Sequence, residues 1–591
     1  MKKKLLKSTL CLSLAAILSI MTACGSNASS VTSTESSNQE SSTVETTTET
    51  ESSSESTASG DASAKPGNYS KETALADRTT DTFNETAFDA CTAKMGELSQ
   101  SEGHADEINA LYDEILEWLN CIASDLAIAN FRYSADVTDV EAATLASTIQ
   151  MTSAQKQNEA LLLFQEILKS DLYCDSFTEH IGTDVAKAVK EYKQSDEDLM
   201  NLISQSSELT QKYNTLMTED YKEESVQKQI KEVYLDIVKN NNEVAAWYGY
   251  DNYIDFSLYL YGRDYTADQA DSIKDAIKEN VLPLYYAYYN NLVAESGCIN
   301  DVYEDYTVTE DDLKKIPDLL KNIDSSLSDN FNHLLDQKLY DNEKSDTKTG
   351  SQFTTPLPSY KDACMLLSPD GIVRDFTTVI HEFGHFNNFC SADYNALNTG
   401  TVVDVYEISS QALEMLFAKY YPDLNSSYGE ALKEQTCYGM LYNIMSAFMV
   451  YDAECQIYRT EDLTVEKLDQ IWSDTIQKYG MEEDYPDNSW IAITHLFTQP
   501  CYYIGYGTSG LIALELYNMS CSDYDKAIDC YRQIYSAQPG IQFNELVQKV
   551  GLTDIFSAET IENICSEYAK NLGVADEYAE MKEHMISADA A

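Results

Sequence analysis

Beyond Lys71 the chain reads as helix after helix with few breaks. Apolar residues recur at helical spacing over 105–129, 184–213, 223–247, 267–293, 426–457 and 558–572, while 591 residues carry only 10 Pro and 22 Gly. Those two residue types are the strongest local interrupters of regular structure, so their scarcity leaves long helices as the main element. No repeat period and no alternation of strands with helices is visible, which excludes a solenoid and a doubly wound sheet. The expected fold class is predominantly α. Residues 363–368 are a candidate strand and 303–308 a weaker one.

A hydrophobic fraction of 43% supplies a core for a globular body. The 98 acidic and 40 basic residues give a formal net charge of -58. A polyanion gains no counterion release on a phosphate backbone and is repelled by it, so nucleic acid is excluded as a partner, and anionic lipid is disfavoured on the same sign argument. Membrane contact therefore needs a dedicated anchor.

The N-terminus offers one. Lys2, Lys3, Lys4 and Lys7 precede an apolar run over 10–21, the layout of a secretory signal and too short for a comfortable spanning helix. It ends in Met21-Thr22-Ala23-Cys24-Gly25, similar to a bacterial lipobox in which Cys24 becomes the acylated first residue. Residues 1–24 are thus expected to be a lipoprotein signal peptide. Residues 25–70, rich in Ser, Thr and Glu, are expected to be a disordered tether. The expected location is the outer face of the bacterial cytoplasmic membrane, reached through export and held by lipid on Cys24.

Of 14 cysteines, several, such as Cys121, Cys437 and Cys455, fall inside apolar helical pattern. Export permits disulfides, yet the spacings are wide and irregular, and buried free thiols are the preferred reading. No CxxC pair occurs to suggest a cysteine metal site.

Chemistry concentrates at His381-Glu382-Phe383-Gly384-His385, an HExxH preceded by helical pattern. Positions i and i+4 share a helix face, so both imidazoles can reach one zinc ion at about 2.0 to 2.1 Å. Glu382 is angled toward a water on that ion, as general base for peptide hydrolysis. The whole chain has only 7 histidines, which makes an incidental pair on a surface helix the weaker explanation.

The third ligand narrows the class. Asn388 and Ser391 stand where a metzincin needs glycine and histidine, which excludes that class. Glu407, on a following helical stretch, is the preferred ligand, with Asp404 one turn earlier as its competitor. Ser410, Gln411 and Glu414 share the Glu407 face and could orient the ligands from behind.

These residues resemble the thimet oligopeptidase and oligoendopeptidase F family of zinc peptidases: His381-Glu382-Phe383-Gly384-His385, then Glu407-Ile408-Ser409-Ser410-Gln411 and Glu414. Trp247-Tyr248-Gly249-Tyr250-Asp251-Asn252-Tyr253 with Arg263-Asp264-Tyr265 is a further likeness. The resemblance implies His381, His385 and Glu407 as ligands of one zinc ion per chain, and Glu382 as catalytic. It also implies two helical lobes around a deep substrate channel that admits oligopeptides, with a small β-sheet beside the zinc site. The lobes are expected at 71–250 and 251–591, in an enzyme expected to be a monomer. Residues 363–368 would be a sheet edge for substrate pairing, or else an ordinary strand.

The family also stabilises its oxyanion with a downstream histidine and tyrosines, which the resemblance carries onto His495 and Tyr506, with Tyr503 and then Tyr502 behind. The spacing departs from the thimet type, since Pro500 stands where that pattern has a tyrosine. Gly505-Tyr506-Gly507-Thr508-Ser509-Gly510 matches GxGxxG but lacks a βαβ context, so close backbone approach explains its glycines better than a dinucleotide. His104, His180, His333 and His584 are read as surface or satisfied positions. The expectation is a zinc metalloendopeptidase acting on oligopeptides at the cell surface. Its rivals are a peptide-binding lipoprotein without catalysis and a dipeptidase or carboxypeptidase on the same scaffold.

Overall fold

The computed structural model describes residues 61–589 except 296–297, 399–401 and 487. The expected signal peptide, Cys24 and most of the expected tether lie outside the described residues. Residues 61–70, assigned to the tether by composition, lie against the body. Lys65 pairs with Glu114, and Tyr69 packs on Tyr360 with ring centroids 5.3 Å apart.

The chain is predominantly helical. The helices that frame the site are α1 (Ala105–Ala135), α2 (Glu197–Met217), α3 (Glu224–Tyr248), α4 (Asp375–Ser391), α5 (Val403–Phe417), α6 (Gly429–Arg459) and α7 (Ile504–Ser522). Helical pattern over 184–213 is split into Thr183–Glu191 and α2. The break is chemical: the Asp196 carboxylate accepts a hydrogen bond from the Leu199 amide and caps a new helix. No described helix is long and apolar enough to cross a membrane.

Three short strands, β1 (Tyr340–Asp341), β2 (Phe353–Leu357) and β3 (Asp362–Leu366), form a sheet in the order β1-β3-β2. β3 pairs parallel with β1 and antiparallel with β2. The expected strand is therefore present but central, not an edge. Its side chains alternate between two cores: Cys364 and Leu366 pack with Ile128 and Phe131 of α1, and Ala363 and Met365 join the core that includes α4. Burial on both faces explains why it reads as a continuous apolar run. The outer strand on the side of the site is β2. Residues 303–308 contribute only an isolated bridge, Asp305 with Ile372.

The main apolar core runs from Leu199 to Tyr578. It crosses residue 250 without a break, because α2 and α3 bury their apolar faces against the C-terminal helices. Helices between Glu85 and Glu191 build a second core of their own, joined by Leu397.

Candidate metal centre

Helix α4 begins at a tight turn in which the Asp375 carboxylate accepts hydrogen bonds from the amides of Asp370, Gly371 and Ile372. Two turns later it carries the histidines into the interior. His381, Glu382 and His385 are all buried, and the Nε2 atoms of the two imidazoles stand 3.2 Å apart. Helix α5 supplies Glu407, whose Oε2 lies 3.6 Å from each of them. One ligand atom from each residue falls within 4.8 Å of the others. Two imidazoles and one carboxylate with an open side are a donor set that suits zinc.

The meeting of these helices depends on Gly384. A Cβ there would lie 2.5 Å from the Cα of Ser410 and 3.0 Å from the carbonyl oxygen of Ser409. Only glycine lets α4 and α5 approach this closely, and Glu407 sits one turn before Ser410.

A second layer of groups holds the three. His381 Nδ1 donates to Glu414 Oε1 at 2.7 Å, which leaves Nε2 facing Glu407. Burial disfavours charge on this imidazole, but Glu414, Glu407 and Glu382 outweigh it and raise His381 to about 9. Among the described residues no carboxylate hydrogen-bonds His385 in this way, and burial, with His381 beside it, holds it well below its ordinary value. The Tyr502 hydroxyl donates to Glu407 Oε1 at 2.7 Å, and the Ser410 hydroxyl lies 3.3 Å from Oε2.

Asp404, the competing ligand, is committed elsewhere. It receives Arg263 Nε at 2.9 Å, with both side chains fully buried. It also receives the hydroxyls of Tyr265 and Thr508.

Glu382, next to His381 in the helix, meets the sheet through one carboxylate oxygen. Strand alternation turns Phe353 and Leu357 to the α1 side and Thr354 to the α4 side. The Thr354 hydroxyl lies 2.8 Å from Glu382 Oε2 and 3.0 Å from the Glu382 carbonyl oxygen. Oε1 has no hydrogen-bond partner among the described residues. Burial pushes this carboxyl up to about 8, opposed by His381 and the Thr354 hydroxyl.

A cavity of about 940 Å³ lies beside the cluster. His381 and Glu414 border it, as do Gln352 and Phe353 of the β2 edge, Tyr442 of α6, and His495, Tyr503 and Tyr506. His495 is buried, which lowers its imidazole to about 4. Its Nε2 has no hydrogen-bond partner among the described residues. The rings of Tyr503 and Tyr506 stand 5.3 and 6.0 Å from it. Tyr502 differs from these two: its hydroxyl goes to Glu407, away from the cavity.

The glycines of the GxGxxG stretch lie in α7 at helix contacts. A Cβ would meet Asp404 Oδ1 at 2.8 Å from Gly505, Phe448 at 2.7 Å from Gly507 and Ile444 at 2.6 Å from Gly510. Among the remaining histidines, His104 pairs with Glu107, His180 with Asp113 and His333 with Asp362, and His584 is exposed. Cys121, Cys437 and Cys455 are free and buried. Thr354 and the Arg263–Asp404 pair are the contributors that sequence spacing does not reveal.

Residues 326–576 match the model of peptidase family M3. The segment is similar to that family. It holds every residue of the ligand cluster and the cavity wall from Thr349 to Tyr506, so the matched region and the site coincide. Among solved structures, PZ peptidase A with a bound inhibitor aligns with 16% identity over 85% of this chain and 100% of its own, at a TM-score of 0.71. A Bacillus anthracis protein assigned as an oligoendopeptidase F aligns with 16% identity over 86% of this chain and 99% of its own, also at 0.71. Oligoendopeptidase F from Enterococcus faecium aligns with 14% identity over 83% and 97%, at 0.50. At such identities the likeness is one of fold. No curated protein matches the sequence. The family match over this segment and the fold likeness over most of the chain together support a metallopeptidase.

Proposed function

We propose that the protein is a zinc-dependent endopeptidase that hydrolyses internal bonds of oligopeptides. The observation that carries this reading is the convergence of His381, His385 and Glu407 on one another, with the neighbouring Glu382 in the same helix turn and His381 at the wall of one large cavity. A bound zinc ion would supply Lewis acidity toward the peptide carbonyl and lower the pKa of water to about 7.

The chain's own residues do the rest. Glu382 takes the proton of the attacking water and delivers it to the leaving amine. Thr354 fixes one carboxylate oxygen and leaves the other to work. Tyr506, Tyr503 and His495 offer donors for the charge that develops on the carbonyl oxygen, inside a site where burial strengthens each hydrogen bond. The free edge at Gln352 and Phe353 takes the extended substrate backbone, a role that β3 cannot serve from the middle of the sheet.

Asp370, Asp375, Glu414 and Asp484 line the cavity against Lys222 and Arg374. This balance favours neutral or cationic peptides, and equal turnover of matched cationic and anionic peptides at low salt would remove that preference. The enzyme is further proposed to act as a monomer on the outer face of the cytoplasmic membrane, held by lipid on Cys24.

The test is digestion of a defined peptide of about ten residues before and after chelation, with zinc restored to the chelated sample. Two complementary fragments from one internal cut, lost with the metal and regained with it, are expected. A ladder from one end would replace the endopeptidase reading with an exopeptidase one.

A further inference from the structure

The Tyr502–Glu407 hydrogen bond joins two parts of the chain, the turn at 500–502 and helix α5. Both are held by the same buried group. Arg263 donates through Nη1 to the Cys501 carbonyl at 2.8 Å and through Nη2 to the Tyr502 carbonyl at 3.1 Å. Its Nε donates to Asp404 at 2.9 Å, one turn before Glu407 on α5. A planar guanidinium with a fixed fork can keep three acceptors in one geometry, which an ammonium cannot do.

The turn itself needs holding. Cys501 has φ +64, a left-handed conformation unusual for a residue with a side chain. Two groups determine it together with Arg263: the Cys501 amide donates to Glu454 Oε1 at 2.7 Å, and the Tyr261 hydroxyl donates to the Pro500 carbonyl at 3.0 Å. Glu454 comes from α6 and is buried, and its Oε2 has no hydrogen-bond partner among the described residues. Burial pushes its acid up to about 8, opposed by the Cys501 amide and Arg263.

We propose that Arg263 and Glu454 are positioning residues for the metal centre: they clamp the 500–502 turn so that the Tyr502 hydroxyl orients the Glu407 carboxylate, and through it they set the affinity for the metal. Neither residue lines the cavity. The inference rests on Glu407 being a metal ligand, as the proposed function has it, and adds the device that aims that ligand. Outer groups of this kind typically account for a 10- to 100-fold share of metal affinity.

The readout is zinc affinity of the full chain, measured by competition with a chromophoric chelator. Tyr502→Phe removes only the hydroxyl and is expected to weaken zinc binding roughly tenfold. Arg263→Lys keeps the charge but loses the fork and should weaken it by a similar factor in the parent, yet by little in the Tyr502→Phe background. Glu454→Ala should weaken binding, while Glu454→Gln, which keeps an acceptor for the Cys501 amide, restores it. The glutamine arm covers the case in which Arg263→Lys fails to fold.

Unchanged zinc affinity in Tyr502→Phe would overturn the proposal, as would an Arg263→Lys effect of equal size in both backgrounds, or equal loss in Glu454→Ala and Glu454→Gln. Because the measured quantity is metal affinity, weakening in these variants supports the clamp even if the parent cleaves no peptide, an outcome that would remove only the endopeptidase reading.

Discussion

Gly384 and Ser410 stand so close that a methyl group on the glycine would lie 2.5 Å from the Cα of Ser410. The contact sets the distance between the helix of the two histidines and the helix of Glu407. A metal site built from two helices is only as good as that distance, and the HExxH stretch carries its own spacer.

Gly384→Ala is therefore expected to push α4 and α5 apart. The neighbours are backbone atoms, which cannot swing aside as a side-chain end can, so the substitution should destabilise the protein by about 1–3 kcal/mol. Zinc affinity should fall with it. Chemical unfolding at matched zinc concentration measures the first effect, and an unfolding curve like that of the parent would contradict the account.

Thr354→Val keeps size and shape in β2 but removes the hydroxyl 2.8 Å from Glu382. Zinc should bind as before, since Thr354 touches none of the ligands. Turnover should drop roughly 10- to 100-fold as the carboxylate loses its fixed orientation. Steady-state kinetics with metal content measured on the same sample separate the two, and loss of zinc would show that Thr354 acts on the site in another way.

Tyr506→Phe tests the oxyanion assignment. Loss of one preorganised donor typically lowers kcat by about 10²-fold or more. A matching rise in KM with kcat unchanged would instead place Tyr506 in substrate binding.

His495 gives a pH signature. Its imidazole is held near 4 by burial, against an ordinary value of 6.5. The unfolded chain thus takes up a proton at His495 below pH 6.5 that the folded chain refuses until about pH 4. Stability should fall as pH drops through that window, by up to about 3 kcal/mol from this residue. In His495→Gln the decline between pH 6.5 and 4 should be shallower, and an unchanged slope in denaturant titrations across that range would contradict the burial argument.

Much of this arrangement was legible in the sequence because it lies in local spacing. His381 and His385 are one turn apart, and Glu407 and Glu414 share a face of the next helix. The strand near 363 was legible from its apolar run, but its place in the sheet was not, since burial on both faces and burial at an edge look alike in sequence. Thr354 is silent for a similar reason: a threonine in a short strand carries no mark of which carboxylate it will meet. Asp404 could compete with Glu407 only while its partner was unknown, and Arg263 is 141 residues away. The helical pattern over 184–213 missed its break because Asp196 reads equally well as a surface residue and as a cap.

The most direct measurement of the central claim compares the parent with Glu382→Gln for cleavage of an internally quenched peptide, with zinc content determined in both. The account predicts full zinc occupancy in each and internal cleavage by the parent alone. Cleavage by Glu382→Gln at the parent's rate, with zinc retained, would contradict it.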